Sequence, residues 1–280
     1  MTAIIAEIFS YQFIVRAIVV GASVSLCAAL LGVSLVLKRY SMIGDGLGHV
    51  GFGSLCIAIV IGAAPLAVSV PVMILAALML LKISEKSRIK GDAAIAVISS
   101  SALAAGIIAA SLSNGLNVDV FNYMFGSILA MDKGDVYLSL TLSASVLTMF
   151  ILFYNKVFAV TFDESFAKAS GVNVSLYNTL IAVLTAVTIV VGMRIMGTML
   201  ISSLIVFPAL SAMRCCRSFK SVVICSGAVS VVCFFIGMVF SYALSIPAGA
   251  SIIAVNLAVF ALFFCIGSAA ERGIHLPVSK

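Results

Sequence analysis

Two ionisable side chains lie four residues apart in an unusually polar stretch of the chain. The stretch, residues 41–53, reads "SMIGDGLGHVGFG"; it lies between two long apolar runs and contains Asp45 and His49. On a helix, positions four apart share one face, with Cβ atoms about 6 Å apart. A carboxylate oxygen and an imidazole nitrogen could then both reach one ion at about 2.0–2.2 Å. These donors suit Zn²⁺, Mn²⁺ and Fe²⁺, so the spacing predicts a site for a divalent metal ion.

A structural role for the same two residues is the alternative. Asp45 could cap the N-terminus of a helix, and His49 could form a hydrogen bond between helices. Ionisable groups within a membrane-spanning segment are costly, however, and are functional by default. Two protein ligands are few, which suits an ion that is bound only briefly. The five glycines of the stretch would let neighbouring helices approach closely.

A second motif predicts a short helix between two apolar runs. Residues 161–171 read "TFDESFAKASG", in which Thr161 and Glu164 match the S/T-x-x-E capping box. Lys168 suits the last turn of a helix, and Gly171 suits the left-handed residue that follows it. The helix could simply connect two spans, or it could dock on a cytoplasmic partner through an apolar face. The residues assigned to docking are Asp163, Glu164, Phe166, Ala169 and Gly171.

The composition places these motifs in a membrane protein. Hydrophobic residues make up 63% of the 280 positions and charged residues 9%, whereas a soluble domain is about half apolar and a quarter charged. We therefore expect an all-α polytopic membrane protein in which residues 1–280 form a single transmembrane domain. The net charge of +6 is attributed to the basic residues that flank membrane spans, not to binding of nucleic acid.

Nine apolar runs are long enough to cross a bilayer, which takes about 17–25 residues. Eight spans are the alternative, since the run at 197–213 contains Pro208 and follows its predecessor almost directly. Placing Lys and Arg on the cytoplasmic side favours nine spans, with the N-terminus outside and the C-terminus in the cytoplasm. Residues 114–135 are too polar at both ends to cross and predict an outer loop with a short interfacial or re-entrant helix. The predicted spans are 13–37, 43–62, 65–82, 92–112, 136–158, 176–193, 197–213, 221–243 and 248–268.

The motifs needed for catalysis are absent from the sequence. It contains no G-x-x-x-x-G-K-[ST] phosphate-binding loop and no nucleophile paired with a base. None of the seven cysteines stands in a C-x-x-C pair, which argues against a thiolate metal site. We therefore expect a protein that is not an enzyme by itself and has no permanently bound cofactor.

The order of these motifs resembles the permease subunits of zinc and manganese ABC importers, the ZnuB-like family. The polar stretch with Asp45 and His49 is similar to the start of the family's second span, and the 161–171 segment to its coupling helix. The resemblance extends to "GDAAIAVISSSALAAGI" (91–107). It continues through two proline-containing segments, "GTMLISSLIVFPALSAMRCC" with Pro208 and "SYALSIPAGASIIAV" with Pro247.

This resemblance implies a fold, a location and partners. The fold is that of the vitamin B12 permease type, and the location is the bacterial cytoplasmic (inner) membrane. The implied partners are a second copy of the chain, two copies of an ABC ATPase and an extracytoplasmic metal-binding protein. One departure concerns Ser245, since many members carry Asp at that position.

The expected function is therefore movement of a divalent metal ion into the cytoplasm, powered by ATP hydrolysis in a partner. The Asp/His pair admits zinc, manganese and iron alike, and zinc is the narrowly preferred expectation. A proton-coupled secondary metal transporter is one alternative, and a siderophore or corrinoid permease of the same fold is another. The first would need more buried acids, and the second has no use for an Asp/His pair beside its pathway.

Overall fold

The computed structural model describes residues 12–86, 91–112 and 133–274, and these ranges are helical with short connections. The predicted outer segment therefore lies outside the described residues from 114 to 132, while residues 133–135 begin a helix. The eleven described helices are α1 (Gln12–Leu37), α2 (Ile43–Val60), α3 (Pro65–Lys86), α4 (Gly91–Leu112), α5 (Lys133–Leu152), α6 (Tyr154–Phe162), α7 (Glu164–Ala169), α8 (Val174–Met196), α9 (Thr198–Cys215), α10 (Phe219–Leu244) and α11 (Ala248–Ile274).

Eight of the described helices are long and apolar enough to cross a membrane. They are α1, α2, α4, α5 and α8 to α11, so the run at 197–213 that the sequence left doubtful forms a helix of adequate length. The shorter apolar stretch is Ala67–Ile83, within α3. Pro208 lies buried inside α9 without ending it, and Pro247 directly precedes α11, where its carbonyl accepts the backbone N–H of Ser251.

The helix α1 is central to the bundle. It packs against α10, α9, α8 and α5, and fourteen of its residues are buried. Ser226 and Ser230 of α10 donate hydrogen bonds to backbone carbonyls of α1, those of Ala29 and Ser25. Such hydrogen bonds hold membrane helices together where hydrophobic burial adds little. By contrast, α4, α5 and α11 are mostly exposed in the single chain, as expected of helices that face lipid or another subunit.

The fifth predicted span, residues 136–158, is wrong at its C-terminal end. Helix α5 ends at Leu152, and a separate helix, α6, begins at Tyr154 after an interruption at Phe153. Helix α6 buries Val157 and Val160 and exposes Lys156. It is therefore an amphipathic helix at the end of the bundle that leads directly into α7.

Candidate metal pathway and docking helix

Asp45 and His49 lie in the first two turns of α2 and face the same side. His49 Nε2 is 3.6 Å from Asp45 Oδ2, and their side chains are 36% and 52% exposed, respectively. The residue that caps α2 is Met42, which makes no side-chain capping bond. Asp45 is thus inside the helix, and its interpretation as an N-cap is wrong.

The pair lies on an open face of α2 between two neighbouring helices. A Cβ atom added to Gly44 or Gly48 would contact α9, and one added to Gly46 would contact α4. Asp45 and His49 point between these directions, so neither neighbour covers them. Within the described ranges, no group of three or more His, Cys, Asp and Glu side chains is arranged to hold a metal ion. Among the described residues, Asp45 and His49 are therefore the two candidate ligands at this position.

The depth of the pair follows from contacts that α1 and α2 share. Added Cβ atoms on both Gly32 and Gly44 would contact Ile205 of α9, so these glycines lie at the same level. Gly32 is five residues before the end of α1, which corresponds to about 8 Å of helix. Asp45 and His49 follow Gly44 and lie about 9–15 Å from that end of α1 along the helix axis. If α1 ends at the surface of a hydrocarbon core about 30 Å thick, the pair lies within that core.

The chain reaches this depth because α1 ends in a tight reversal. The N–H of Tyr40 donates to the carbonyl of Leu35, and the N–H of Arg39 donates to that of Val36, which is the Schellman pattern. Arg39 occupies the left-handed position, with φ of 62°, where glycine is usual. The reversal returns the chain to the bundle before α2 begins at Ile43. The pair therefore lies farther into the bundle than the C-terminal end of α1.

The start of α9 borders the pair. A single residue, Gly197, connects α8 to α9 with φ of 84°. A Cβ atom on Gly48 would lie 3.4 Å from Cβ of Thr198, the first residue of α9. The first turn of α9 therefore lies beside the segment of α2 that carries the pair. The N-terminal end of a helix carries a partial positive charge that favours anions.

Beyond the pair, the same face of α2 becomes apolar. Phe52 and Cys56 continue the helical spacing and are buried with Ala110 of α4 in a small cluster separate from the main core. The polar part of the face therefore ends within one turn of His49. On one side of the pair lies an apolar contact between α2 and α4, and on the other lies the end of α1.

The predicted docking helix is present but shorter and capped differently. Helix α7 spans Glu164–Ala169, and its N-cap is Asp163, whose side chain accepts the backbone N–H of Phe166 at 2.9 Å. The predicted capping box is wrong because Thr161 still belongs to α6 and is buried. Gly171 has φ of 80° and completes a Schellman motif, as the sequence indicated.

Large apolar side chains project from the docking helix and from the end of α6. Phe162 and Phe166 are 70% and 67% exposed, and Ala169 is also exposed, whereas Ala167 is buried. Of these three exposed apolar residues, Phe166 and Ala169 were assigned to docking from the sequence, and Phe162 is the last residue of α6. We call the three residues together the Phe162–Phe166–Ala169 face.

Glu164 makes contacts that the sequence did not indicate. Its Oε1 lies 2.6 Å from Nζ of Lys38, and it accepts Nδ2 of Asn178 at 3.2 Å. Burial alone would raise the pKa of Glu164, but the hydrogen bonds from Lys38 and Asn178 and the charge of Lys38 lower that pKa below its ordinary 4.5. Local patterns could not reveal this contact, since Lys38 is 126 residues away.

Similar proteins were found by sequence and by structure. Residues 10–267 match the model of the ABC 3 transport family. The manganese transport system membrane protein MntC of Halalkalibacterium halodurans is 27% identical over 94% of this chain and 90% of its own length. The high-affinity zinc uptake system membrane protein ZnuB of Haemophilus influenzae is 26% identical over 90% of this chain and 97% of its own.

A solved structure has the same fold. PsaBC from Streptococcus pneumoniae in complex with Fab matches with a TM-score of 0.84 and 29% identity, covering 94% of this chain and 95% of the matched chain. The family match extends over nearly the whole chain, and the structural match confirms the predicted type of fold. The chain therefore belongs to the ABC 3 transport family and is a membrane-spanning permease subunit, with the ATPase on a separate subunit.

Proposed function

We propose that this permease moves manganese or zinc ions into the cytoplasm and that Asp45 and His49 bind the ion during its passage. The geometry of this pair carries the proposal. Two ligands at about 2.1 Å from a tetrahedrally coordinated ion lie about 3.4 Å apart, and the two side-chain atoms are separated by 3.6 Å. An ion could therefore bridge them with little movement.

A second copy of the chain would complete the site. The pair lies at a depth where lipid would otherwise meet it, and exposure of ionisable groups to hydrocarbon is costly. Adjacent helix α4 presents apolar side chains that are exposed in the single chain, including Val97 at 65% and Ile108 at 60%. A homodimer that covers this surface would bring two further ligands to the ion and exclude lipid from the pair.

The choice between the two metals is left to experiment. Relatives named for manganese and for zinc match this chain with nearly equal identity, 27% and 26%. One carboxylate and one imidazole suit either ion, since imidazole favours zinc and oxygen ligands favour manganese. The permease therefore admits both, and an extracytoplasmic metal-binding protein selects between them.

The remaining partners belong to the same proposal. Two ABC ATPase subunits dock on the two copies of α7 through the Phe162–Phe166–Ala169 face. The assembly lies in the bacterial cytoplasmic membrane, with α7 on the cytoplasmic side. Because the basic residues Lys38, Lys156 and Lys168 lie near this end of the bundle, the charge distribution supports that orientation.

Metal uptake by the complete importer tests the proposal. Permease, ATPase and binding protein would be expressed together, and uptake of manganese and zinc would be traced separately for wild type, Asp45→Asn and His49→Ala. Loss of a ligand's supporting group alone costs about 10–100-fold in metal affinity, so each variant should lower uptake by at least about tenfold. Ile57→Ala, on another face of α2, is the matched control.

The controls separate the possible failures. Co-purification of the ATPase shows that each variant still assembles, and an ATPase variant unable to hydrolyse ATP shows that uptake needs ATP. If Asp45→Asn and His49→Ala both take up both ions at the wild-type rate, the pair does not bind the ion during its passage. Uptake that persists without ATP hydrolysis would contradict the proposal that the permease belongs to an ATP-driven importer.

A further inference from the structure

Lys38 joins three parts of the chain in one polar cluster. Its Nζ lies 2.6 Å from Oε1 of Glu164 in α7 and 2.5 Å from Oδ1 of Asn178 in α8. Nδ2 of Asn178 in turn donates to the same Glu164 oxygen at 3.2 Å, which closes a triangle. We call these three residues the Lys38 cluster.

The ammonium group of Lys38 is largely removed from water in this cluster. The side chain of Lys38 is only 8% exposed, whereas that of Glu164 is 54% exposed. A buried ammonium group is costly unless hydrogen-bonded acceptors replace its hydration. Lys38 therefore depends on Glu164 and Asn178, and displacement of α7 would either pull Lys38 along or leave its charge poorly compensated.

The connection from Lys38 to the metal pair is short and stiff. Lys38 is the last residue before the left-handed Arg39, and the Schellman hydrogen bonds fix Arg39 and Tyr40 against the end of α1. The N–H of Ile43 then donates to the carbonyl of Tyr40 at 3.0 Å. Asp45 follows two residues later, so no flexible segment separates it from Lys38.

A small cavity beside this connection leaves room for movement. It measures about 30 Å³, enough for about one water molecule. Its lining includes Leu35 of α1, Ile43 at the base of α2 and Ile95 of α4, together with Lys38 and Asn178. Tightly packed cores shift between discrete arrangements, so an apolar void at the base of α2 permits a small shift of that helix.

We propose that Lys38 is a positioning residue that transmits movement of the docking helix α7 to α2 and so to Asp45 and His49. The inference rests on the proposed function, in which an ATPase moves α7. ATP-driven displacement of α7 moves Glu164, the Lys38 cluster carries the displacement to the reversal at Arg39, and α2 shifts. The metal ligands thereby change position without direct contact with the ATPase.

The test uses the complete importer reconstituted in lipid vesicles. Metal uptake, ATP hydrolysis and co-purification of the ATPase would be measured for Lys38→Met, Glu164→Gln and the combined variant. Allosteric coupling between sites is worth about 5–150-fold, so we expect the metal taken up per ATP hydrolysed to fall about tenfold. The ATPase should remain bound and active, because Glu164 contacts Lys38 and Asn178 while docking uses the Phe162–Phe166–Ala169 face. Lys156→Met, which removes an exposed cation of α6, is the matched control and should transport normally.

The combined variant separates transmission from general damage. If Lys38 and Glu164 act through their mutual contact, either single substitution already removes that contact. The double variant should then take up no less metal per ATP than the poorer single variant. Glu164→Gln keeps the size of an exposed side chain and tests the link even if Lys38→Met does not fold. Exchanging the two charges, Lys38→Glu together with Glu164→Lys, re-forms an ion pair. This variant should therefore take up more metal per ATP than Lys38→Met or Glu164→Gln.

Three results would overturn the inference. They are normal uptake per ATP in Glu164→Gln, loss of the ATPase from that variant, and losses that add in the combined variant. Failure of the proposed function looks different, because either wild type itself would take up neither metal or Asp45→Asn and His49→Ala would transport normally.

Discussion

His49 Nε2 and Asp45 Oδ2 lie 3.6 Å apart on adjacent turns of α2, too far for a strong hydrogen bond and close to the separation of two ligands of one ion. The arrangement is set by helical geometry, because residues four apart face the same side. Glycines at positions 44, 46 and 48 face α9 and α4 and let both helices pack closely against α2 on either side of the pair. This separation is consistent with the proposal that one ion bridges the two side chains.

Changing the donor type should change which ion is taken up. Replacing His49 by Asp leaves only oxygen ligands in each copy, and oxygen ligands favour manganese over zinc. We expect His49→Asp to lower zinc uptake more than manganese uptake. Competition between the two ions during uptake measures the ratio, with His49→Ala as the control that removes the donor altogether. An unchanged ratio in His49→Asp would show that this residue does not contact the ion.

Two glycines should be required where α2 crosses α4. A Cβ atom on Gly53 would overlap the backbone carbonyl of Ala102, and one on Gly106 would lie 2.5 Å from Cα of Gly53. Because backbone cannot move aside as a side chain can, Gly53→Ala should destabilise the fold by about 1–3 kcal/mol. Thermal unfolding of the purified protein measures the loss.

Gly48→Ala in the same helix is the control for this effect. Its added Cβ would lie 3.4 Å from a side-chain atom of Thr198, and alanine favours the helix by up to about 1 kcal/mol. We expect Gly48→Ala to unfold at or above the wild-type temperature. Equal melting temperatures for Gly53→Ala and wild type would contradict the close crossing.

The sequence predicted the elements well because their signals are local. A long apolar run requires a helix in a bilayer, where every backbone group must be bonded internally. The proximity of Asp45 and His49 could be predicted because residues four apart share one face of a helix, and the sequence predicted a helix there. The break at Phe153 was missed because apolar residues continue from α5 into α6, so hydropathy alone gives no sign of the interruption.

Contacts between distant parts of the chain could not be predicted in the same way. Lys38 was interpreted only as a cytoplasmic charge, and nothing in its surroundings pointed to Glu164. The error at Thr161 has a related cause: a four-residue pattern was matched, but α6 extends through Phe162. Since Thr161 was already helical, the capping role passed to Asp163, the first residue with extended backbone.

The exposed phenylalanines should be needed to hold the ATPase. Large aromatic side chains at the centre of an interface often contribute most of the binding energy. We expect Phe166→Ala to weaken ATPase association by at least about tenfold, with a smaller loss for Phe162→Ala. Leu176→Ala, which truncates a 54% exposed residue in the first turn of α8, is the control. Titration of the purified ATPase against permease in detergent measures the affinity, and equal affinities would place docking elsewhere.

Removal of the cap should loosen α7 without unfolding the bundle. The Asp163 side chain accepts the backbone N–H of Phe166, and loss of such a cap costs about 1 kcal/mol. Hydrogen exchange of the α7 amides should therefore become about fivefold faster in Asp163→Ala. Asp163→Ser retains a capping oxygen and should exchange at nearly the wild-type rate. Identical protection in Asp163→Ala would mean that packing alone holds the helix.

The contact between Glu164 and Lys38 should contribute to the stability of the fold at neutral pH, and this contribution should be lost in acid. Its hydrogen bonds and the charge of Lys38 lower the pKa of Glu164 below 4.5 in the folded state, so the unfolded state binds a proton more readily. The stabilisation is then complete above pH 4.5 and is lost as the pH falls through the folded-state pKa. Glu164→Gln should unfold at a lower temperature than wild type near pH 7, and the difference should shrink steadily below pH 4.5. Melting temperatures of both proteins from pH 7 to the acid range measure this, and a constant difference would show that the carboxylate charge of Glu164 does not stabilise the fold.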